Sequence, residues 1–190
     1  MKAFEDYKYK RSLKALSKKL VGFKRNKMVQ NLTTARAIGI ICNISDQSVL
    51  DEILNLRAYF EENNIGVQVL GYFSGKEVPQ YFTMHSRVNI FDTNQLNWYY
   101  KPESALVDVF ADTEFDILID LNFEETMPMR WVASLSKAKF KVGALNYYNN
   151  PFDLIITVDK AKGLNYLCEQ MKDILYRLNN RFAQEPSTSF

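Results

Sequence analysis

The sequence predicts an α/β fold, a three-layer sandwich on a mostly parallel sheet of the Rossmann-like or flavodoxin-like kind, preceded by a basic amphipathic N-terminal helix. Three observations carry that prediction. Short runs too uniformly apolar for a half-exposed strand recur along the chain, as in Ala37-Ile38-Gly39-Ile40-Ile41-Cys42. Stretches with apolar residues at helical spacing stand between them. The clearest strand–helix–strand unit spans 115–143, where the run Ile117-Leu118-Ile119 ends in the polar cluster Asp120, Asn122, Glu124 and Glu125. A helical stretch follows, then Phe140-Lys141-Val142-Gly143. This is the pattern of a buried parallel strand whose carboxyl end faces the edge where α/β folds place ligands.

Taken in order, the first 25 residues read as the basic helix. Tyr9, Leu13, Leu16, Leu20 and Phe23 recur at spacings of 4, 3, 4 and 3 and share one face, while Lys10, Arg11, Lys14, Lys18 and Lys19 occupy the remainder. Gly22 and the polar run 24–27 end it. The strand at 37–42 leads to a helix capped by Ser45 or Asp46, with Leu50, Ile53, Leu54 and Phe60 on its inner face. Asn63-Asn64-Ile65-Gly66 stops that helix before a second strand at 67–72. The pattern is weaker over 74–102: Pro79 interrupts it, 88–91 reads as a short strand, and Trp98-Tyr99-Tyr100 falls in a loop expected to cover one face of the sheet, with an exposed stacking platform as the alternative. A helix over 103–111 precedes the 115–121 strand, and 127–136 is helical with Pro128 in the first turn, where proline is tolerated. Only about ten residues separate the strands at 140–143 and 154–158, short for a helical crossover, so a hairpin or a tight connection is expected. Leu164, Leu167, Met171, Ile174, Leu178 and Phe182 trace a closing helix. The chain thus divides into a basic helical unit, 1–30, a single α/β domain, 35–182, and a flexible tail, 183–190.

The 190 residues, 47% apolar and 24% charged, suit one substantial core. No run approaches the roughly 18 apolar residues of a membrane span, and the N-terminus lacks an apolar leader, so a cytoplasmic setting is expected. Cys42 lies in an apolar run and Cys168 in a helical pattern, which reads as two core residues rather than a disulfide or metal pair. With His85 the only histidine, a histidine-rich metal site is excluded. A net charge of +2 conceals an asymmetry: residues 1–36 hold eleven Lys/Arg against Glu5 and Asp6, a balance of +9, which leaves −7 for the rest.

The turn after the first strand, Cys42-Asn43-Ile44-Ser45-Asp46-Gln47-Ser48, holds no glycine, so it offers no close backbone approach to a pyrophosphate. No P-loop motif and no G-x-S-x-G elbow occurs; Ser74 and His85 read as loop residues without a catalytic partner. No cofactor is expected. In a parallel sheet Asp46, Asp120, Glu124, Glu125 and Asp159 fall at one edge, where they form a weak candidate for a Mg²⁺ site or a general base, with Asp46, Asp120 and Glu124 as the catalytic candidates. Helix capping accounts for the same residues more simply. The stronger signal is the basic helix: Lys10, Arg11, Lys14, Lys18 and Lys19 suit the phosphates of a nucleic acid or ribonucleoprotein, or an anionic membrane surface, within residues 1–27. The expectation is therefore a non-enzymatic domain that binds a polyanionic or macromolecular partner. The alternative is phosphosugar or nucleotide binding, or a transferase-like activity, at the carboxyl edge of the sheet.

Two resemblances accompany these readings. Phe115-Asp116-Ile117-Leu118-Ile119-Asp120-Leu121, with Ala133-Ser134-Leu135-Ser136-Lys137-Ala138-Lys139 and Val142-Gly143, resembles part of the N-terminal half of heptosyltransferase-type glycosyltransferases. That likeness covers some 30 residues and implies an acidic base near Asp46. Nearly the whole chain is similar to a family of small uncharacterised α/β proteins of Bacteroidota. Met1-Lys2-Ala3-Phe4, Ile38-Gly39-Ile40, Val69-Leu70-Gly71-Tyr72, Leu96-Asn97-Trp98, Asp116–Leu121, Ser136–Gly143 and Asp153-Leu154-Ile155 carry it. This second likeness implies a shared fold and no assigned activity.

Overall fold

The computed structural model describes residues 2–82, 84 and 88–178. His85, Phe182 and the tail 183–190 lie outside the described residues. The strands are β1 (Ala37–Asn43), β2 (Gly66–Tyr72), β3 (Val88–Phe91), β4 (Ile117–Asp120), β5 (Phe140–Gly143) and β6 (Leu154–Ile155). They form one sheet in the order β3-β2-β1-β4-β5-β6, with every pair parallel. This is the strand order of the doubly wound Rossmann arrangement, and the order reverses between β1 and β4. The helices are α1 (Lys2–Leu20), α2 (Gln47–Glu62), α3 (Ala105–Asp112), α4 (Met127–Leu135) and α5 (Gly163–Arg177).

Strand alternation divides the core between the two faces. Ile38, Ile40, Val69, Ile119 and Val142 point to the side covered by α2 and α5, where Leu50, Ile53, Phe60, Leu167 and Met171 meet them. Ile41, Leu70 and Leu118 point to the other side and pack on Val107 and Phe110 of α3 and Met129 and Val132 of α4. Both faces of each central strand are therefore buried, as their continuous apolar runs required. Gly39 stands where β1 passes under aromatic rings: a Cβ there would lie 2.7 Å from the Phe115 side chain. α2 begins at Asp46, whose carboxylate accepts from the Ser48 and Val49 amides, and it ends before Asn64, whose φ of 60° is a left-handed value that asparagine tolerates.

Four sequence expectations change or narrow. Of the two connections expected between 140–143 and 154–158, the hairpin is excluded and the tight connection holds: β5 and β6 are parallel, paired Val142↔Leu154 and Gly143↔Ile155, and a short loop without a helix returns the chain. β6 is also only two residues long. Trp98-Tyr99-Tyr100 does not cover the sheet; Tyr99 and Tyr100 pack against Leu16, Met127 and Trp131 and so receive α1. The basic helix stops at Leu20, short of the 1–30 unit, because Gly22 takes a φ of 80° and turns the chain. Residues 21–36 then run along the amino ends of the strands. The Met28 amide donates to the Lys139 carbonyl and the Leu32 amide to the Leu175 carbonyl, and Asn31 Nδ2 donates to the Leu178 carbonyl, before the chain enters β1.

Candidate functional site

Two places hold the residues singled out by the sequence: the carboxyl edge of the sheet, and the outer surface of α1. At the first, β1 and β4 part at the point where doubly wound folds open a ligand crevice. Here side chains bridge that point. Asp120 ends β4, buried, and its Oδ1 accepts from the Asn122 amide at 2.9 Å and from Asn122 Nδ2 at 2.6 Å. Asn122 Oδ1 accepts from the Asn43 amide at 2.6 Å, and Thr126 Oγ1 donates to Asn43 Oδ1 at 3.0 Å. Burial pushes the Asp120 carboxyl up to about 7, against the lowering effect of the two bonds from Asn122. Burial, then the nearby Asp120 charge, also raises the Tyr147 phenol and the Cys42 thiol.

The other carboxylates of this edge each have a separate partner. Asp46 is exposed and caps α2; hydrogen bonds from the Ser48 and Ser45 side chains and the Val49 amide hold it at about 2. Glu124 is exposed and paired with Lys160, which lowers its carboxyl below the usual range. Glu125 accepts from Arg130 Nη1 at 2.5 Å and from the Tyr9 hydroxyl at 3.1 Å. Asp159 accepts from the Ala161 amide at 2.9 Å and caps the single turn before α5. Among the described residues, no three of Asp, Glu, Cys and His stand close enough to share a metal ion. Cys42 and Cys168 are both buried and unpaired.

α1 presents the second place. Its seam is narrower than the sequence pattern drew it: Leu16 is buried and Leu13 half-buried against Trp131, Met127 and Tyr99, while Tyr9 and Leu20 remain 39% and 36% exposed. Ser12, not part of the apolar pattern, is fully buried because its Oγ accepts the Trp131 indole N–H at 2.8 Å. Further contacts hold the start of the helix: the Tyr100 hydroxyl donates to Glu5, and Lys8 Nζ lies 5.1 Å from the centre of the Tyr100 ring. With α1 fixed in this way, Lys10, Arg11, Lys14, Lys18 and Lys19 all face outward, and none has a carboxylate partner among the described residues. Arg11 lies 5.9 Å from the centre of the Tyr99 ring. A recess of about 300 Å³ opens beside it, walled by Arg11, Lys18, Lys19 and Lys101 with Tyr99 and Trp131. At its side Tyr7 and Trp98 stack at 6.0 Å, 57% and 51% exposed.

Sequence reasoning missed Arg25, Arg130 and Lys141. Arg130 is buried in α4, donates to Glu125 and to the Tyr148 carbonyl, and lies 4.7 Å from the centre of the Tyr147 ring. Lys141 carried a visible signal, a charge in the middle of the apolar strand Phe140-Lys141-Val142; Arg25 carried none. The fold and these surfaces define a doubly wound α/β domain with a basic helix docked on its outer layer. Residues 8–178 match the profile of DUF6913, a family of unknown function, and the chain belongs to that family. No curated protein matches the chain, and no helix among the described residues is long and apolar enough to cross a membrane.

Proposed function

We propose that this protein is a non-enzymatic, cytoplasmic domain that binds nucleic acid, alone or within a ribonucleoprotein, through the outer face of α1. The observation that carries this reading is the recess of Arg11, Lys18, Lys19 and Lys101 beside exposed aromatic rings. Arg11, Lys18 and Lys19, which have no carboxylate partner among the described residues, attract phosphates, Lys101 adds a cation shared with Glu103, and Tyr7 and Trp98 offer faces on which bases stack. An anionic membrane surface is the weaker fit. A helix that lies in a bilayer interface needs its apolar face free, whereas Leu13 and Leu16 of α1 are packed against α4. The transferase-like alternative at Asp46, Asp120 and Glu124 draws less support, since Asp46 and Glu124 are already held by a cap and an ion pair.

The test is fluorescence anisotropy with a mixed-sequence single-stranded RNA at several salt concentrations. Binding is expected to weaken steeply with salt. Replacing Lys10, Lys14, Lys18 and Lys19 together by alanine should reduce the logarithmic salt slope by up to about three, on the basis of about 0.7 per phosphate contact. These side chains are exposed, so the fold should be retained, whereas deleting residues 1–27 would also uncover Trp131. RNA affinity unchanged in the four-lysine variant would overturn the proposal. Binding to vesicles of anionic lipid without binding to RNA would overturn it in favour of the membrane surface.

A further inference from the structure

Lys141 is the most deeply buried cation among the described residues, 1% exposed in the middle of β5. Its Nζ donates to the carbonyl oxygens of Ala133 at 2.7 Å and Ser134 at 3.1 Å, in the last turn of α4, where carbonyls lack partners within the helix. An ammonium has three N–H bonds, and the third finds no acceptor among the described residues. Nor does any described carboxylate lie within ion-pair distance of Nζ, although buried lysines are almost always paired.

The surroundings deepen the imbalance. Lys24, Arg25 and Lys27 approach from the segment after α1, and Asp153 is the carboxylate among them. Asp153 is already engaged: Arg25 Nη2 donates to its oxygens at 2.5 and 2.6 Å, Lys27 Nζ lies at 3.6 Å, and the Lys141 backbone amide donates at 2.9 Å. Burial first, and Arg25 second, push the Lys141 ammonium down to about 7. Beside it lies a cavity of about 560 Å³, within the range of small-molecule sites, whose wall includes Lys141, Lys24 and Lys27 together with Leu20, Phe23 and Phe152. The Phe23 ring centre is 5.7 Å from Nζ.

We propose that this cavity binds a small organic anion. Its charged head supplies the counter-charge that Lys141 lacks, between Lys24 and Lys27, and its apolar or aromatic body lies against Phe23 and Phe152. The site is independent of the α1 face, because none of Lys10, Lys14, Lys18 and Lys19 lines it.

Benzenesulfonate is a suitable probe for the full chain, because its charge is constant between about pH 6 and pH 8, the range in which Lys141 titrates. Amide cross-peaks followed by NMR should shift saturably around Ser134, Lys141 and Phe152. Affinity should fall by up to about tenfold across that pH range, in proportion to the protein still carrying the ammonium. The fall should persist in Asp120→Asn, which removes the other buried group that titrates near 7. Lys24→Ala, an exposed change, should weaken binding several-fold, and Lys141→Met, where it folds, should abolish it. Benzyl alcohol, an uncharged relative, should not bind. The proposal is overturned by an absence of saturable shifts at about pH 6, by equal binding of benzyl alcohol, or by an affinity that neither pH nor Lys24→Ala changes.

Discussion

Asp120 and Lys141 are opposite charges placed at neighbouring strands, and burial moves each toward its neutral form. For Asp120 the folded carboxyl titrates at about 7, whereas an unfolded one ionises near 4. Between those values the folded chain holds a proton that the unfolded chain has released. Stability therefore falls as pH rises from about 4 to about 7, and the full loss is present above that. Asp120→Asn keeps an oxygen to accept from Asn122 and removes the charge. At about pH 8 the variant should be at least as stable as the parent, by up to about 4 kcal/mol, with the difference reduced to about 1 kcal/mol at about pH 5. Thermal melts at the two pH values check this; a variant less stable at the higher pH would mean that the fold requires the carboxylate. Asp120 was legible in the sequence as the residue that ends the most apolar strand. Its engagement by Asn122, and Asn122 by Asn43, was not, because Asn43 lies 79 positions away.

α1 shows how a helical pattern identifies an element without fixing its contacts. Spacing marked Tyr9, Leu13, Leu16, Leu20 and Phe23 as one face, yet the apolar contact of the helix with its neighbours runs through Leu16 and half of Leu13, beside the hydroxyl of Ser12, and Tyr9 joins only through its hydroxyl bond to Glu125. Phe23 lies beyond the helix and turns onto Lys141. α4 is short, so its surface receives only one or two turns of a longer partner. Leu16→Ala should cost about 2 kcal/mol, at the low end for a buried leucine because the site lies at the edge of the fold. The effect should be local: faster amide exchange in α1 and a red-shifted Trp131 emission, with the exchange of β1 and β4 unchanged. Loss of protection throughout the sheet would show that α1 is part of the cooperative core.

At the scale of the whole molecule, the segment between α1 and β1 ties distant parts of the chain together. Arg25 donates to the Ala138 and Lys139 carbonyls at 3.1 and 2.8 Å and forks onto Asp153, across 113 to 128 positions of sequence. It thereby joins the amino end of β5 to the approach to β6, which is only two residues long and has little ladder of its own. Arg25→Ala leaves two carbonyls and a half-buried carboxylate without this partner and should cost about 2–3 kcal/mol, read from the denaturant midpoint. Arg25→Lys should recover only part of it, since an ammonium cannot reproduce the fork. Full stability in Arg25→Ala would remove this segment from the account of the β5–β6 edge.

Local chemistry was enough to determine the class of fold. Uniformly apolar runs at 37–42 and 117–119 can be buried only on both faces, and the helical patterns between them require crossovers, so a layered parallel sheet follows. The N-cap at Asp46, the stop at Asn64 and the outward lysines of α1 were legible for the same reason, since each depends on residues within a few positions. Only the tertiary structure decided the order β3-β2-β1-β4-β5-β6, the parallel course of β6 and the use of the aromatic loop as a seat for α1. It alone brought Lys24, Arg25 and Lys27 to a buried Lys141 more than a hundred residues later. The central strands are interchangeable as apolar runs, and their arrangement is set by the summed fit of layers that no local stretch of sequence contains.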